Sequence, residues 1–204
     1  MHITKHAHAC VRLRDGGRSL VIDPGIWTDP QALIGADAVL ITHEHIDHVD
    51  VLRLAGLRLP VYAPAQATLA GLEHTRGLDL IRVGTGETFE AGGFTIEAVG
   101  GAHAIVYGDR SPCANLGYLI DGFYHPGDAL HVPDRPVDTL CVPAQASWLK
   151  LAEAIDFVNA VRPRQAIAIH DAQLNERGLG AVNHWLDRGT TATYRYLSPG
   201  EALD

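Results

Sequence analysis

Short apolar runs separated by turn-forming clusters dominate the chain, and most of them have the length and period of strands. Leu20-Val21-Ile22, Ala38-Val39-Leu40-Ile41, Leu140-Cys141-Val142 and Ala166-Ile167-Ala168-Ile169 are too short for helices. They end in Asp, Thr, Pro or His and read as buried strands. Residues 2–14 and 18–23 predict two strands joined by a turn at Asp15-Gly16-Gly17. Further strands are expected at 60–64, with Pro at both limits, at 78–83, and at 193–197. Two more hairpins follow from turn chemistry: 87–89 with 94–99 around Gly92-Gly93, and 114–120 with 123–125 around Asp121-Gly122. Helical spacing is rarer. Residues 148–161 place apolar side chains at 148, 151, 155 and 158, with Ser147 as N-cap and Pro163 as the stop. Residues 49–59 predict a short helix and loop, and 65–74 and 176–188 two further helices. Neither a repeat nor an interdomain linker is visible, so 1–204 reads as one domain.

The strand ends carry the chemistry. Ala38–Ile41 leads into Thr42-His43-Glu44-His45-Ile46-Asp47-His48. On extended backbone His43 and His45 project on one face. Asp47 and His48 follow after the chain has turned, so one pair can hold one metal ion and the other pair a second nearby. Neutral imidazole is the commonest side-chain ligand for zinc and its neighbours, and carboxylate suits harder ions. Three other runs end alike, at His103 after Gly100-Gly101, at Asp128 after Pro126-Gly127, and at His170. Asp23, closing the strand 18–23, fits either a partner for the back nitrogen of a ligand histidine or an Asx-turn. His8 lines the pocket or is structural, and His125 approaches the site or is simply buried. Arg110 meets an anionic group or is solvated. His131 follows Asp128 in a loop from which it could approach substrate.

Composition narrows the classes. At 204 residues, 47% apolar and 20% charged, the chain is long enough for a sizeable core and ordinary for a globular protein. A net charge of −8 argues against a nucleic-acid partner, which would need a basic face. Three widely spaced cysteines, Cys10, Cys113 and Cys141, without a C-x-x-C, suit buried reduced thiols in a cytoplasm. The first residues contain no apolar signal region, and no run approaches the length of a membrane span, so no membrane partner is expected.

The ordered set His43-x-His45-x-Asp47-His48, His103, Asp128 and His170 resembles the signature of the metallo-β-lactamase superfamily, over residues from about 8 to 171. The compact length, Asp23-Pro24-Gly25 and the simple C-terminus look most like the branch containing ascorbate phosphate lactonase. His8-Ala9-Cys10 resembles the Gly-His-Ser/Ala element of one branch, with Ala7 where Gly is usual. The resemblance implies an α/β fold, the four-layer αββα sandwich. It implies two divalent metal ions, zinc first, with manganese or iron also suited to the ligands. His43, His45 and His103 would hold one ion, Asp47, His48 and His170 the other, and Asp128 would bridge. The implied activity is metal-dependent hydrolysis, in which a hydroxide shared by the ions attacks a small ester, lactone or phosphoester. Asp47 would orient the nucleophile or pass a proton, and His131 is the second catalytic candidate. His45 stands where flavodiiron oxidoreductases carry Glu, which disfavours a redox role. A phosphodiesterase or nuclease of the same fold and a non-catalytic metal-binding protein are the alternatives. The expected partner is a small molecule, and self-association into a homo-oligomer is left open.

Overall fold

The computed structural model describes residues 1–69 and 79–204. In chain order the strands and helices of the first half are β1 (His2–Lys5), β2 (Val11–Asp15), β3 (Arg18–Ile22), β4 (Ala38–Leu40), α1 (Val51–Ala55), β5 (Pro60–Pro64) and β6 (Asp79–Val83). A single 3-10 turn, Pro30–Leu33, precedes β4. The second half runs β7 (Thr88–Ala91), β8 (Phe94–Gly100), β9 (Leu116–Ile120), β10 (Phe123–His125), β11 (Thr139–Pro143), α2 (Leu151–Val161), β12 (Gln165–Ile169), α3 (Glu176–Gly189), β13 (Thr193–Arg195) and β14 (Ala202–Leu203).

The strands form two seven-stranded sheets, ordered β14-β1-β2-β3-β4-β5-β6 and β13-β12-β11-β10-β9-β8-β7. Each changes from antiparallel to parallel pairing part-way across, at β3 in the first and at β10 in the second. Three hairpins close with two-residue turns, Gly16-Gly17, Gly92-Gly93 and Asp121-Gly122, all at positive φ, the mirror-image turn that matches strand twist.

Side-chain alternation along the central strands sorts the apolar residues into layers. On β4, Ala38 and Leu40 face the space between the sheets, while Val39 and then Ile41 face outward. On β12, Ile167 and Ile169 face inward, and Ala166 and Ala168 outward. The inner layer also holds Leu13, Leu20, Phe94, Ile96, Tyr118 and Phe123. The outer face of the first sheet is covered by Leu33, Val49 and Leu54, and that of the second by Ala154, Phe157 and Val158 of α2 and Leu186 of α3. These continuous apolar runs are buried on both faces, and the result is the αββα sandwich. At about 1.5–3 kcal/mol for each large side chain fully removed from water, the layers supply the main favourable energy of folding.

Several boundaries differ from the sequence expectation. The segment 2–14 is broken at 6–10, where His6 N–H donates to Cys10 O and His8 takes φ +59°. Helix α2 starts at Leu151 with Lys150 as its N-cap residue, later than the Ser147 cap, because Trp148 is drawn into the strand-end edge instead of lying on the helix. The last strand β14 was not foreseen; two residues are too few to show a period. Residues 65–69 contain no helix, and the rest of the helix expected at 65–74 lies outside the described residues. Among the described residues no helix is long and apolar enough to cross a membrane.

One buried ion pair spans the sheets. Lys5, 0% exposed on β1, donates to Asp171, which follows β12, and its ammonium lies 5.2 Å from the Tyr196 ring centroid. Removing one partner of such a pair leaves an uncompensated charge in a low-dielectric interior. Lys5→Met should therefore lose about 3–5 kcal/mol in urea unfolding, and Lys5→Met/Asp171→Leu should recover most of it. Equal destabilisation of single and double variants would show that the charge is not what matters.

Candidate metal centre

Strands β4, β8, β10 and β12 all release the chain at one edge of the paired sheets, and the residues that follow converge there. Backbone close to glycine's territory makes the convergence possible. Among the described residues, non-glycine positive φ occurs at His8, Asp23, Asp121, Arg162 and His170, and the first, second and last of these stand at this edge. A left-handed non-glycine residue costs on the order of 1–3 kcal/mol and persists only where its surroundings impose it. Gly25 admits the closest approach: a Cβ there would lie 1.9 Å from the Asp47 carbonyl oxygen. The 23–26 loop can thus run against the 45–50 loop, with Ile26 N–H on Ile46 O at 2.9 Å and Asp50 N–H on Pro24 O at 3.0 Å.

The hydrogen bonds behind the rings determine which nitrogen each histidine presents. Asp23 accepts from the Thr42 amide and hydroxyl, each at 2.7 Å, and from His48 Nδ1 at 2.7 Å. His43 Nδ1 lies 3.0 Å from the Thr42 hydroxyl oxygen, whose own proton goes to Asp23. His103 Nδ1 donates to Ala104 O at 2.6 Å, and His170 Nδ1 to Gln145 O. With the protons on these Nδ1 atoms, the Nε2 lone pairs point inward. His45 is turned the other way: its Nδ1 lies 3.0 Å from His43 Nε2, and its Nε2 lies 4.0 Å from Cys113 Sγ.

Asp128 sits among them. Its Oδ1 is 3.1 Å from His48 Nε2, and its Oδ2 is 3.2 Å from His170 Nε2 and 3.3 Å from His103 Nε2. Trp148 Nε1 donates to Oδ2 at 3.0 Å, and buried Asn115 takes the Asp128 amide on its Oδ1 at 3.0 Å. His48, His103 and His170 Nε2 and Asp128 Oδ1 are buried with no hydrogen-bond partner. Buried polar atoms are rarely left so, and lone pairs facing one another at this range repel. A divalent cation satisfies such a set, so the residues present fit metal ions. The donor atoms fall into groups within 4.8 Å of one another: His43, His45 and His103; His8, Asp47, His48 and His170; and His43, His48 and Asp128.

The titration behaviour agrees. Burial pulls His43 well below the ordinary imidazole value and lowers His45, so both are neutral donors. Burial also pulls on His48, yet Asp128 and Asp23 on either side outweigh it and hold it well above that value. Burial pushes Asp128 up, but His48 first, and then the His103 and His170 rings beside it, hold it well below the carboxylate range. Asp47 is brought down to about 2 by His8, His48 and His170 against its burial.

The candidates therefore separate. His43, His45, Asp47, His48, His103, Asp128 and His170 come together, with Asp23 behind His48 and His8 joining unexpectedly at Asp47. His125 is buried away from them; its Nε2 donates to Ala9 O at 2.8 Å and its Nδ1 accepts from Gly127 N–H at 3.2 Å. His131 is exposed outside the cleft lining, with its carbonyl held by Tyr124. Arg110 is exposed on the 104–114 loop, also outside that lining. Cys113 is half-buried beside His45, not deeply buried as expected, whereas Cys10 and Cys141 are buried. Trp148, Asn115 and Thr42 were missed, although a Trp left outside a buried helix face needs a partner for its indole N–H.

The centre opens into a cleft of about 140 Å³ lined by His45, Asp47, His103, Asp128, His170, Val106, Trp148 and Gln173 among others. No lysine or arginine lines it among the described residues. Val106 in the lining is exposed, as are its chain neighbours Ile105 and Tyr107, and so is Ile46 between His45 and Asp47, whose carbonyl accepts the amide of exposed Ile26. Larger clefts, such as one of about 400 Å³ beside Arg12, Arg14 and Arg18, contain no converging donors and lie apart from this chemistry. Gly127 tests the frame, because a Cβ there would meet Asn115 Oδ1 at 2.3 Å and Thr42 Cβ at 2.7 Å at a φ of +62°. Gly127→Ala should lower stability by about 1–3 kcal/mol from the backbone alone, read by thermal unfolding, and reduce the metal retained on purification.

Known proteins share this architecture. Residues 2–170 match the family model described as the beta-lactamase superfamily domain. Protein Rv0786c of Mycobacterium tuberculosis is 34% identical, with 100% of this chain and 99% of that protein covered. A UPF0173 metal-dependent hydrolase of Thermoplasma acidophilum is 28% identical over 83% of each chain. Among solved structures, the metallo hydrolase Igni18 of Ignicoccus hospitalis superposes with a TM-score of 0.75 at 18% identity, covering 99% of this chain and 97% of that one. With the family match spanning most of its length and the sandwich and strand-end histidines in place, the chain belongs to the metallo-β-lactamase superfamily.

Proposed function

We propose that the protein is a dinuclear metal-dependent hydrolase of a small neutral ester or lactone. The observation that carries this is the convergence of buried, unpartnered His48, His103 and His170 Nε2 atoms with Asp128 Oδ1 at the floor of an open cleft. In this reading His43, His45 and His103 hold one ion, Asp47, His48 and His170 the other, and Asp128, with two oxygens facing different rings, lies between. Zinc suits the imidazole-rich set best, and manganese or iron are compatible. Bound there, two divalent ions would supply an acidified water and a Lewis acid for the substrate carbonyl. The residues do the rest. Asp47 is ionised at neutral pH and its half-buried carboxylate lines the cleft, so it can orient a water or pass on a proton. Trp148 holds the Asp128 carboxylate, and Asn115 holds its backbone amide.

The substrate class follows from what surrounds the centre. Beyond the metal ions, the lining offers no lysine or arginine for a phosphate's remaining charge among the described residues, while Val106 in it and Ile46 beside the histidines are apolar and exposed. This supports a neutral acyl compound with an apolar substituent over the phosphate-bearing substrates of the lactonase branch. The same lack of cations, with the −8 net charge, weighs against nucleic acid. Three free cysteines suit a reducing cytoplasm.

Protein purified without added metal should contain close to two ions per chain by elemental analysis. It should turn over lactones and aryl esters in a chelator-sensitive way, and phosphodiesters poorly. His45→Ala and Asp128→Ala should lose metal and turnover together. Full activity after metal depletion would refute metal dependence, a preference for phosphodiesters would refute the neutral substrate, and two ions without turnover would indicate a metal-binding protein.

A further inference from the structure

We infer that His8 is a positioning residue for Asp47, holding its carboxylate through Nε2–H, and that the second of the two metal positions depends on it. This rests on the dinuclear reading above. Each of the other histidines assigned to that second position has its orientation set from behind: His48 by Asp23, His170 by Gln145 O. Asp128 is held by Trp148 and Asn115. Asp47 lies on a loop with its side chain 18% exposed, and His8 Nε2, 3.1 Å from its Oδ2, is the hydrogen-bond partner of its carboxylate among the described residues.

The site of His8 is built for this. Its ring is 1% exposed, edge-packed by Trp27 with centroids 4.8 Å apart, and lies against His170 at 4.0 Å. Its backbone takes the left-handed conformation, φ +59°, and its carbonyl accepts the His170 amide at 3.2 Å. The Ala172 amide donates to His8 Nδ1 at 3.4 Å. An N–H can only donate, so Nδ1 is the bare nitrogen and the ring proton is on Nε2, facing Asp47. A histidine ligating through Nε2 would need the opposite tautomer. The geometry therefore makes His8 the holder of a ligand, not a ligand itself. The oxygen it holds, Asp47 Oδ2, also faces His170 Nε2 at 3.7 Å and His48 Nε2 at 4.0 Å, which is the place the second ion would share with it.

Outer partners of metal ligands are typically worth 10–100-fold in affinity. The full chain, loaded with zinc or with cobalt as a spectroscopic stand-in, supplies the test by chelator competition and by the cobalt absorption spectrum. His8→Asn tolerates the left-handed backbone but its amide is too short to reach Asp47. It should weaken the second ion about 10–100-fold, leave the first ion's affinity in place and alter the cobalt spectrum as the second equivalent is added. His8→Gln, whose amide N–H reaches to where Nε2 was, should recover most of that affinity. Thermal unfolding of the metal-free variants reports separately whether the turn still folds. Unchanged second-ion affinity and spectrum in His8→Asn would overturn the inference, as would equal loss of both ions. Failure of His8→Gln to do better than His8→Asn would instead make His8 a ligand and overturn it too. A wild type that binds fewer than two ions would remove the dinuclear reading itself, a result distinct from any of these.

Discussion

A neutral imidazole has one proton to place, and the group that receives it decides which nitrogen faces the site. In this structure that single constraint links the fold to the chemistry. Asp23, Thr42, Ala104 O and Gln145 O receive protons from or position His48, His43, His103 and His170. Each receiver is a strand-end or loop group whose location is a consequence of sheet register. β3 and β4 are parallel neighbours with Ile22 opposite Leu40, so Asp23 and the residues that follow Leu40 leave the sheet side by side. The carboxylate can then reach both the Thr42 amide and the His48 ring without adjustable linkers. A shift of register by one residue would send these side chains to the other face and dissolve the centre.

The cost of the arrangement is visible in the same places. Left-handed residues at His8, Asp23 and His170, unpartnered buried nitrogens, and a carboxylate surrounded by imidazoles are each unfavourable in a metal-free protein. Three apolar layers and two long sheets oppose that cost. Metal binding to such a set would relieve it directly, so affinity and stability should be coupled through the same residues.

Much of this was legible in the sequence because both languages are short-range. Runs such as Ala38–Ile41 and Ala166–Ile169 are continuous because both faces are buried, and a histidine or aspartate just past such a run has one place to go. The hairpins at 16–17, 92–93 and 121–122 were likewise written in their turn residues. What stayed hidden depends on long-range contacts. The break at 6–10 brings His8 against Asp47, 39 positions away. The late start of α2 exists because Trp148 serves Asp128, 20 positions back. Asp23 was balanced between two roles because an Asx-turn and a partner for His48 look identical until β3 and β4 are paired. His131 follows Asp128 closely in sequence, yet the chain carries it out to solvent while Trp148 takes the place beside the carboxylate.

In the dinuclear reading proposed above, the two sets of ligands are framed differently. His43 and His103 are oriented by near neighbours in the chain: Thr42 precedes His43, and Ala104 follows His103. Thr42 in turn gives its hydroxyl proton to Asp23, so the end of β3 reaches this set at one remove. The other half draws its frame from afar. Asp23 comes from β3, His8 from the turn after β1, and the backbone around His170 is held both by His8 and, one residue on, by the Lys5–Asp171 pair. The short segment 5–8 therefore joins the first sheet to the end of β12 at the point where Asp47 and His170 meet. The ligand sets thus differ in how far their frames reach along the chain, with Asp128 facing rings of both.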